Sequence, residues 1–119
     1  MNRDLLTLTQ WLSPAFPVGG FAYSHGLEHA IEAGQVTSAA HLQAWLDIVL
    51  RRGTGRTDAT LLCLAMKGDD MADTARALAS SKERLTEAEA QGRAFVETVN
   101  AMTGSAIPEQ PLALSLIHI

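Results

Sequence analysis

The sequence predicts an all-α protein, a helical bundle of about five helices. Apolar residues recur at helical spacing in several stretches, and capping residues or glycines bound most of these stretches. The clearest stretch shows the i, i+3, i+4, i+7, i+8 pattern of a helix that faces a core, and its members are Leu42, Trp45, Leu46, Val49 and Leu50. No part of the sequence alternates apolar and polar residues as a strand does.

The first predicted helix is leucine-rich and ends before Ser13-Pro14, because proline disfavours the helical conformation in the residue that precedes it. The segment from Pro14 to Gly20 contains two prolines and two glycines, which predicts an extended stretch and a tight turn. Ser24 is then a candidate N-cap for a second helix that reaches Ala33, and Gly34 ends this helix.

The later helices begin at capping residues or turns, and glycines or turns end them. Their predicted ranges are Thr37 or Ser38 to Gly53, Asp58 to Lys67, the alanine-rich Met71 to Ala79, and Ser80 to Gly104. In the last helix Ser80 and Glu83 match a capping box. Gly92 lies within its apolar stripe and costs about 1 kcal/mol relative to alanine. This glycine therefore predicts the close approach of another backbone, with a tolerated weak point as the alternative.

The chain has 119 residues, a length typical of one domain. We assign residues 1–106 to an incomplete helical domain, and residues 107–119 to a linker and a truncated or non-native tail. The reason is that the last eight residues, LALSLIHI, form an apolar strip without a cap. If this strip were exposed, it would favour aggregation.

Charge and composition exclude several classes of function. The formal net charge is -4 at pH 7, which argues against nonspecific nucleic-acid binding, since such binding needs cations that displace phosphate counterions. The basic cluster Arg51, Arg52 and Arg56 is typical of cations at a helix C-terminus, with an anion or partner site as the alternative. One cysteine and no apolar run of about 18 residues predict a cytoplasmic protein without a membrane span.

The segment His25-Gly26-Leu27-Glu28-His29 matches H-x-x-E-H, a pattern in which two histidines bind zinc and a glutamate acts as a base. A catalytic zinc site needs a third protein ligand, and neither His41 nor His118 has a recognisable ligand spacing. Hydrogen bonding of His25 to the loop and an exposed or interfacial His29 form the competing interpretation. A histidine-based nickel- or zinc-binding protein or metalloenzyme is therefore the alternative function.

Two further enzyme classes lack their motifs. No G-x-S-x-G elbow precedes Ser24, so a serine hydrolase is not indicated. The pair Gly53-x-Gly55 lacks a phosphate-loop lysine, which argues against nucleotide binding. What remains is a glycine-rich turn with Phe21 and Tyr23, aromatic residues that either anchor a partner surface or attach the turn to its own core.

The stretch LTQWLSPAFPVGGFAYSHGLEHAIEAGQV resembles the N-terminal signature of the urease accessory protein family UreF. The residues that carry the resemblance are Ser13, Pro14, Phe16, Pro17, Gly19, Gly20, Phe21, Tyr23, Ser24, His25, Gly26, Leu27, Glu28 and Glu32. The downstream LQAWLDIVLRRGTGRTDATLL and ERLTEAEAQGRAFV also resemble this family, including Asp58, Gln91, Gly92 and Arg93. The resemblance extends from about Leu5 to Thr103. Position 29 departs from the family, which often has an apolar or aromatic residue there.

The resemblance implies the N-terminal half of a larger all-helical domain and a non-enzymatic scaffold in urease maturation. Such a scaffold joins UreD, called UreH in some species, to the GTPase UreG, modulates GTP hydrolysis and helps nickel enter apo-urease. UreE brings nickel to this complex. The implied scaffold binds no cofactor stably, since the complex handles nickel and UreG binds GTP. It forms a homodimer when full length.

The resemblance also implies which residues shape the turn or contact partners. These are Pro17, Gly19, Gly20, Phe21, Tyr23, Ser24, His25, Gly26 and Glu28. Gln91 and Gly92 are expected to serve helix packing. No catalytic residue is expected, and His25 and His29 are the only candidate metal ligands.

Overall fold

The computed structural model describes residues 2–19, 24, 26–111 and 114. Within these residues there are six helices. They are α1 (Arg3–Trp11), α2 (Leu27–Glu32), α3 (Ala39–Arg52), α4 (Thr54–Met66), α5 (Ala72–Ala77) and α6 (Lys82–Thr103). No β-strand occurs in this part of the chain, and the all-α prediction is confirmed.

The chain divides into two compact units, and one of the two boundaries between them falls within α4. The first unit comprises Met1–Gly20 and Leu61–Ile119, and the second comprises Phe21–Thr60. The division of the chain at residue 106 stays a prediction.

Two helices begin with the serine caps that the local sequence favours. The Ser38 side chain accepts a hydrogen bond from the His41 backbone N–H at 3.2 Å, as predicted for α3. In α6 the cap is Ser81, which accepts from the Arg84 N–H at 3.2 Å. The prediction of Ser80 as the cap was therefore wrong by one residue.

Two other helix starts differ from the predictions. α2 begins at Leu27 after Gly26, whose φ is +83°, and no side chain caps it. Ser24 is thus not the N-cap; instead its carbonyl accepts a hydrogen bond from the Leu27 N–H at 3.0 Å. Asp58 lies inside α4 and does not cap it, because α4 begins directly after Gly53.

Aromatic packing between α1 and α6 forms the core of the first unit. The cluster contains Trp11, Phe16, Phe95, Val96 and Val99. The Trp11 and Phe95 rings meet edge to face, with centroids 5.0 Å apart. Such contacts contribute about 0.5–1.5 kcal/mol beyond area burial. Phe95 itself is only 1% exposed, so it is the centre of this core.

The segment after α6 is held to the helix by one side chain. Gly104 ends α6 with φ +68°, as predicted. The Asn100 side chain then donates to the Ile107 carbonyl at 3.2 Å and accepts from the Ile107 N–H at 2.9 Å. Ile107 also packs against the aromatic core. The Asn100 side-chain amide therefore hydrogen-bonds to both the N–H and the carbonyl of Ile107, seven positions later.

We expect Asn100→Ala to destabilise the first unit by about 1–3 kcal/mol, because it leaves two backbone groups of Ile107 without partners. Hydrogen exchange of the Ile107 amide should become faster, and the free energy of opening obtained from its rate should fall by a similar amount. Thr86→Ala is the matched control, since its hydroxyl bonds only to the Lys82 carbonyl on the exposed side of the same helix. Unchanged exchange at Ile107 in the Asn100 variant would contradict this assignment.

The second unit buries few side chains. Ala30 is 1% and Val36 9% exposed, whereas α3 has no buried residue. The prediction that α3 presents a buried apolar face was therefore wrong for its leucines, and only Trp45 and Val49 are half-buried. The heptad-like spacing correctly predicts the helix but does not show what covers it.

Candidate functional site

The loop that follows α1 has a conformation determined by its own backbone and by one aromatic residue. The Ser13 hydroxyl accepts from the Ala15 N–H at 3.2 Å, and the Ser13 carbonyl accepts from the Phe16 N–H at 3.0 Å. The Val18 N–H donates to the Phe16 carbonyl at 2.8 Å, which closes a three-residue γ-turn around Pro17. The loop is therefore a specified structure, as its prolines predict.

Phe16 anchors this loop to the core. It is 8% exposed, and its ring centroid lies 5.5 Å from that of Phe95. Val18 packs against the same cluster, while Pro17 between them is exposed. Because the buried Phe16 and the half-buried Val18 flank it, Pro17 is presented to solvent at a defined position, which suits a contact residue.

Gly19 ends the described part of this loop with φ +66°. A Cβ atom at this position would meet no atom within 4 Å. Glycine is therefore required by the left-handed backbone and not by a close neighbour.

A groove of about 600 Å³ lies beside the loop, between α1 and α6. Its lining residues are Leu6, Thr9, Gln10, Ser13, Ala15, Phe16, Pro17, Thr98 and Met102. None of these is charged, and the Thr9 and Thr98 hydroxyls donate to carbonyls of their own helices at 2.7 and 2.8 Å. The groove therefore offers apolar contact and few free polar groups.

Several predicted site residues lie outside the described residues, namely Gly20, Phe21, Tyr23 and His25. Of the remaining residues, Glu28 and His29 are exposed on α2, and Gly26 precedes that helix with a left-handed backbone. A Cβ on Gly26 would lie 3.9 Å from the Trp45 ring, an ordinary contact. The roles assigned to these residues stay predictions.

The metal hypothesis depends on a residue that the structure does not describe. Among the described residues, no group of three or more His, Cys, Asp or Glu side chains could hold a metal ion. His25 lies outside these residues, so its relation to His29 is not established, and the pairing of the two histidines stays a prediction.

Gln91 and Gly92 lie on α6, where the sequence predicts helix packing. Gly92 is buried, and the Gln91 side chain donates to Glu87 at 3.0 Å. Glu87 also forms an ion pair with Arg84. The close approach of another backbone at Gly92 stays a prediction.

Ion pairs in the described part of the chain are exposed or half-buried. Arg76 bonds to Glu89 at 2.9 Å and to Asp73 at 3.0 Å. These two hydrogen bonds, that to Glu89 first, raise the pKa of Arg76 above its ordinary value. The guanidinium therefore stays charged and links α5 to α6.

The basic cluster is divided between two helices. Arg51 and Arg52 occupy the last turn of α3, as predicted, whereas Arg56 lies in the first turn of α4. Arg51 pairs with Asp47 at 2.5 Å, so part of the cluster is neutralised locally.

No helix among the described residues is both long enough and apolar enough to cross a membrane.

The helical periodicity of the sequence places Phe95 in the α6 stripe and Trp11 in the α1 stripe, but it does not predict that their rings touch. Nor does it predict that Phe16 attaches the loop to these rings. The available signal was an aromatic residue between two prolines, since a large apolar side chain in a rigid loop usually needs a buried site. Its partner, 79 positions away, cannot be derived from local periodicity.

Comparison with known proteins supports the resemblance. A family model described as UreF matches residues 36–118. A protein of Cereibacter sphaeroides (strain ATCC 17025 / ATH 2.4.3), named urease accessory protein UreF, is 57% identical over 119 residues, covering 98% of this chain and 57% of that protein. A relative with the same name from Dinoroseobacter shibae is 45% identical, and the match covers 93% of this chain and 54% of that protein. Another from Rhodopseudomonas palustris (strain TIE-1) is 51% identical, and the match covers 81% of this chain and 44% of that protein.

The chain spans about half the length of these curated relatives. The family match extends into the segment after residue 106. No solved structure matches the chain.

Proposed function

The chain belongs to the UreF family of urease accessory proteins, and on this basis we propose that it is a scaffold in urease maturation. The family is one of non-catalytic accessory proteins, which confirms the prediction that the chain is not an enzyme. The observation that carries the proposal is the 57% identity to a urease accessory protein over 98% of the chain. The loop around Pro17, which the buried Phe16 and the half-buried Val18 attach to the core, supports it as a preformed contact surface.

In the proposed function the chain contributes to a complex of UreD (UreH), UreG and apo-urease, to which UreE brings nickel. UreG binds GTP and the complex handles nickel, so the scaffold itself holds no cofactor stably. When full length, the scaffold forms a homodimer. All of these components act in the cytoplasm.

Such a scaffold can modulate a GTPase without any catalytic side chain. If it binds one nucleotide state of UreG more tightly than the other, it shifts UreG toward that state by the difference in binding free energy. The requirement is a rigid surface whose contacts differ between the two states. The anchored loop meets the first part of this requirement, because its conformation is set by Phe16 and by its own hydrogen bonds.

Co-purification tests the proposal directly. The chain is expressed with affinity-tagged UreD and with UreG in a host that lacks its own UreF, and urease activity is measured after nickel is supplied. We expect the chain to be retained with UreD and urease activity to rise above that of the host without the chain. Absence of both retention and activation would overturn the scaffold role.

Gly19→Val should reduce activation in this assay, because a left-handed backbone costs a β-branched residue about 1–2 kcal/mol or more, which is roughly a tenfold loss of the native loop conformation. Gly68→Val is the matched control, since Gly68 also has a positive φ (+100°) and free space around it but lies in another turn. Equal activation by the two variants would show that the loop is not a contact surface.

A further inference from the structure

The segment that follows α6 runs back along this helix. Arg93 and Asn100 lie two helical turns apart on one face of α6. Asn100 hydrogen-bonds to both backbone groups of Ile107, and Arg93 pairs with Glu109 at 3.2 Å. Because the later residue of the segment meets the earlier residue of the helix, the segment is antiparallel to α6. We call residues 104–111 the strap.

The strap and the loop after α1 pack against the same core. The loop, residues 13–19, contributes Phe16 to the buried aromatic cluster, and its Val18 packs against that cluster. From the strap, Ile107 packs against the same cluster, although it lies far from the loop in sequence. At the centre, Phe95 is only 1% exposed. Because protein interiors are close-packed, the cluster stays covered only while both segments are in place.

Opening of either segment therefore weakens the attachment of the other. If the loop lifts, the cluster against which Ile107 packs loses Phe16, one of its buried members. If the strap lifts, the cluster that holds Phe16 loses a covering side chain. Apolar burial is the main force on the strap, since its ion pair between Arg93 and Glu109 is 59% and 58% exposed and such pairs contribute little.

We propose that the strap locks the loop, so that residues 13–19 and 104–111 open and close as one cooperative unit. Such units open together, with a free energy below that of global unfolding. The consequence for regulation rests on the proposed function, in which Pro17 is a contact residue. Any interaction that holds the strap then also holds the contact surface in its defined conformation.

Native-state hydrogen exchange of the 119-residue chain tests this coupling. The reporters are the Phe16 and Val18 amides, which donate to carbonyls within the loop, and the Ile107 amide, which donates to a side chain of α6. We expect these three amides to share one equilibrium constant of opening within about twofold. This constant should be larger than that of the Val99 amide in the core of α6, which reports global unfolding.

One variant at each end tests whether the effect crosses the core. Ile107→Ala removes most of the side chain that packs against the cluster and keeps the backbone that Asn100 binds. Phe16→Leu removes the aromatic contact to Phe95 and keeps an apolar side chain in the loop. Each variant should raise the opening constants of the amides at positions 16, 18 and 107 by one common factor of at least about five.

Leu61→Val is the matched control, because it changes a buried side chain of the same unit outside the aromatic cluster. Leu61 is 5% exposed and does not belong to the cluster. The variant should raise the opening constant of the Val99 amide by about fivefold through global destabilisation. It should leave the loop and strap amides unchanged, since their local opening does not uncover Leu61.

Any of four results would overturn the proposal. The first two are an Ile107→Ala effect confined to the strap and a Phe16→Leu effect confined to the loop. The third is unchanged exchange in both variants, and the fourth is a Leu61→Val effect that moves all the amides together, which would mean that only global unfolding exposes them. The measurement contains neither UreD nor UreG, so failure of the coupling and failure of the scaffold role can be told apart.

Discussion

Phe95→Ala is expected to lower the free energy of unfolding of the first unit by about 3–5 kcal/mol. Phe95 is 1% exposed and contacts both Trp11 and Phe16. Its removal therefore costs the transfer free energy of a ring, two aromatic contacts and the cavity that remains. Domains of this kind have a total stability of about 5–15 kcal/mol, so the loss is a large share of it.

Urea unfolding monitored by Trp11 fluorescence measures this effect. Trp45 lies in the second unit, and a Trp45→Phe background confines the signal to the first. Met102→Ala is the control, because Met102 is on the same helix but is 56% exposed, and its cost should stay within about 0.5 kcal/mol. A loss below about 1 kcal/mol for Phe95→Ala would show that the aromatic cluster does not hold α1 and the loop to α6.

Gly55→Ala is expected to destabilise the junction of α3 and α4 by about 1–3 kcal/mol through overpacking. A Cβ at this position would lie 2.9 Å from the Leu50 Cα and 3.1 Å from the Leu50 carbonyl oxygen. These are backbone atoms, so the two helices must move apart. The gain in helix propensity from glycine to alanine is at most about 1 kcal/mol, and the steric cost therefore exceeds it.

Native-state hydrogen exchange over α3 and α4 measures the local free energy of opening. Ala59→Leu is the control, because it adds more bulk than Gly55→Ala at an exposed position of α4, and it should change this free energy by no more than about 0.5 kcal/mol. Slower exchange in Gly55→Ala than in the wild-type chain would mean that helix propensity outweighs the contact. This pair of glycines, Gly53 and Gly55, thus has a packing role and no phosphate-binding motif.

The helices were predictable because their signals are local. Ser38 caps α3 and Gly104 ends α6, as their positions beside periodic apolar residues indicate. The errors in the predicted helix ends also have local causes, since neighbouring residues can serve as alternative caps. Ser80 and Ser81 are adjacent, and the fourth residue of the capping-box pattern favours Ser80, but the hydrogen bond from Arg84 selects Ser81.

Part of the candidate site was predictable and part was not. The prolines and glycines between Ser13 and Gly20 predict a defined turn, and the structure describes it through Gly19 with its own hydrogen bonds. Sequence did not predict that Phe16 is the anchor and Pro17 the exposed residue, since both belong to one motif. The difference depends on the position of Phe95, which lies beside Phe16 in the structure because α6 packs against α1.

From sequence alone, the helical class, most helix ends and the family of this protein follow, because periodicity, capping and motif spacing depend on neighbours along the chain. Which apolar faces are covered is a property of the folded chain. α6 buries Phe95 and Val99, whereas the equally periodic α3 leaves Leu46 and Leu50 exposed. Burial requires that elements distant in sequence pack together, and the helical periodicity of one segment does not identify the segment that packs against it.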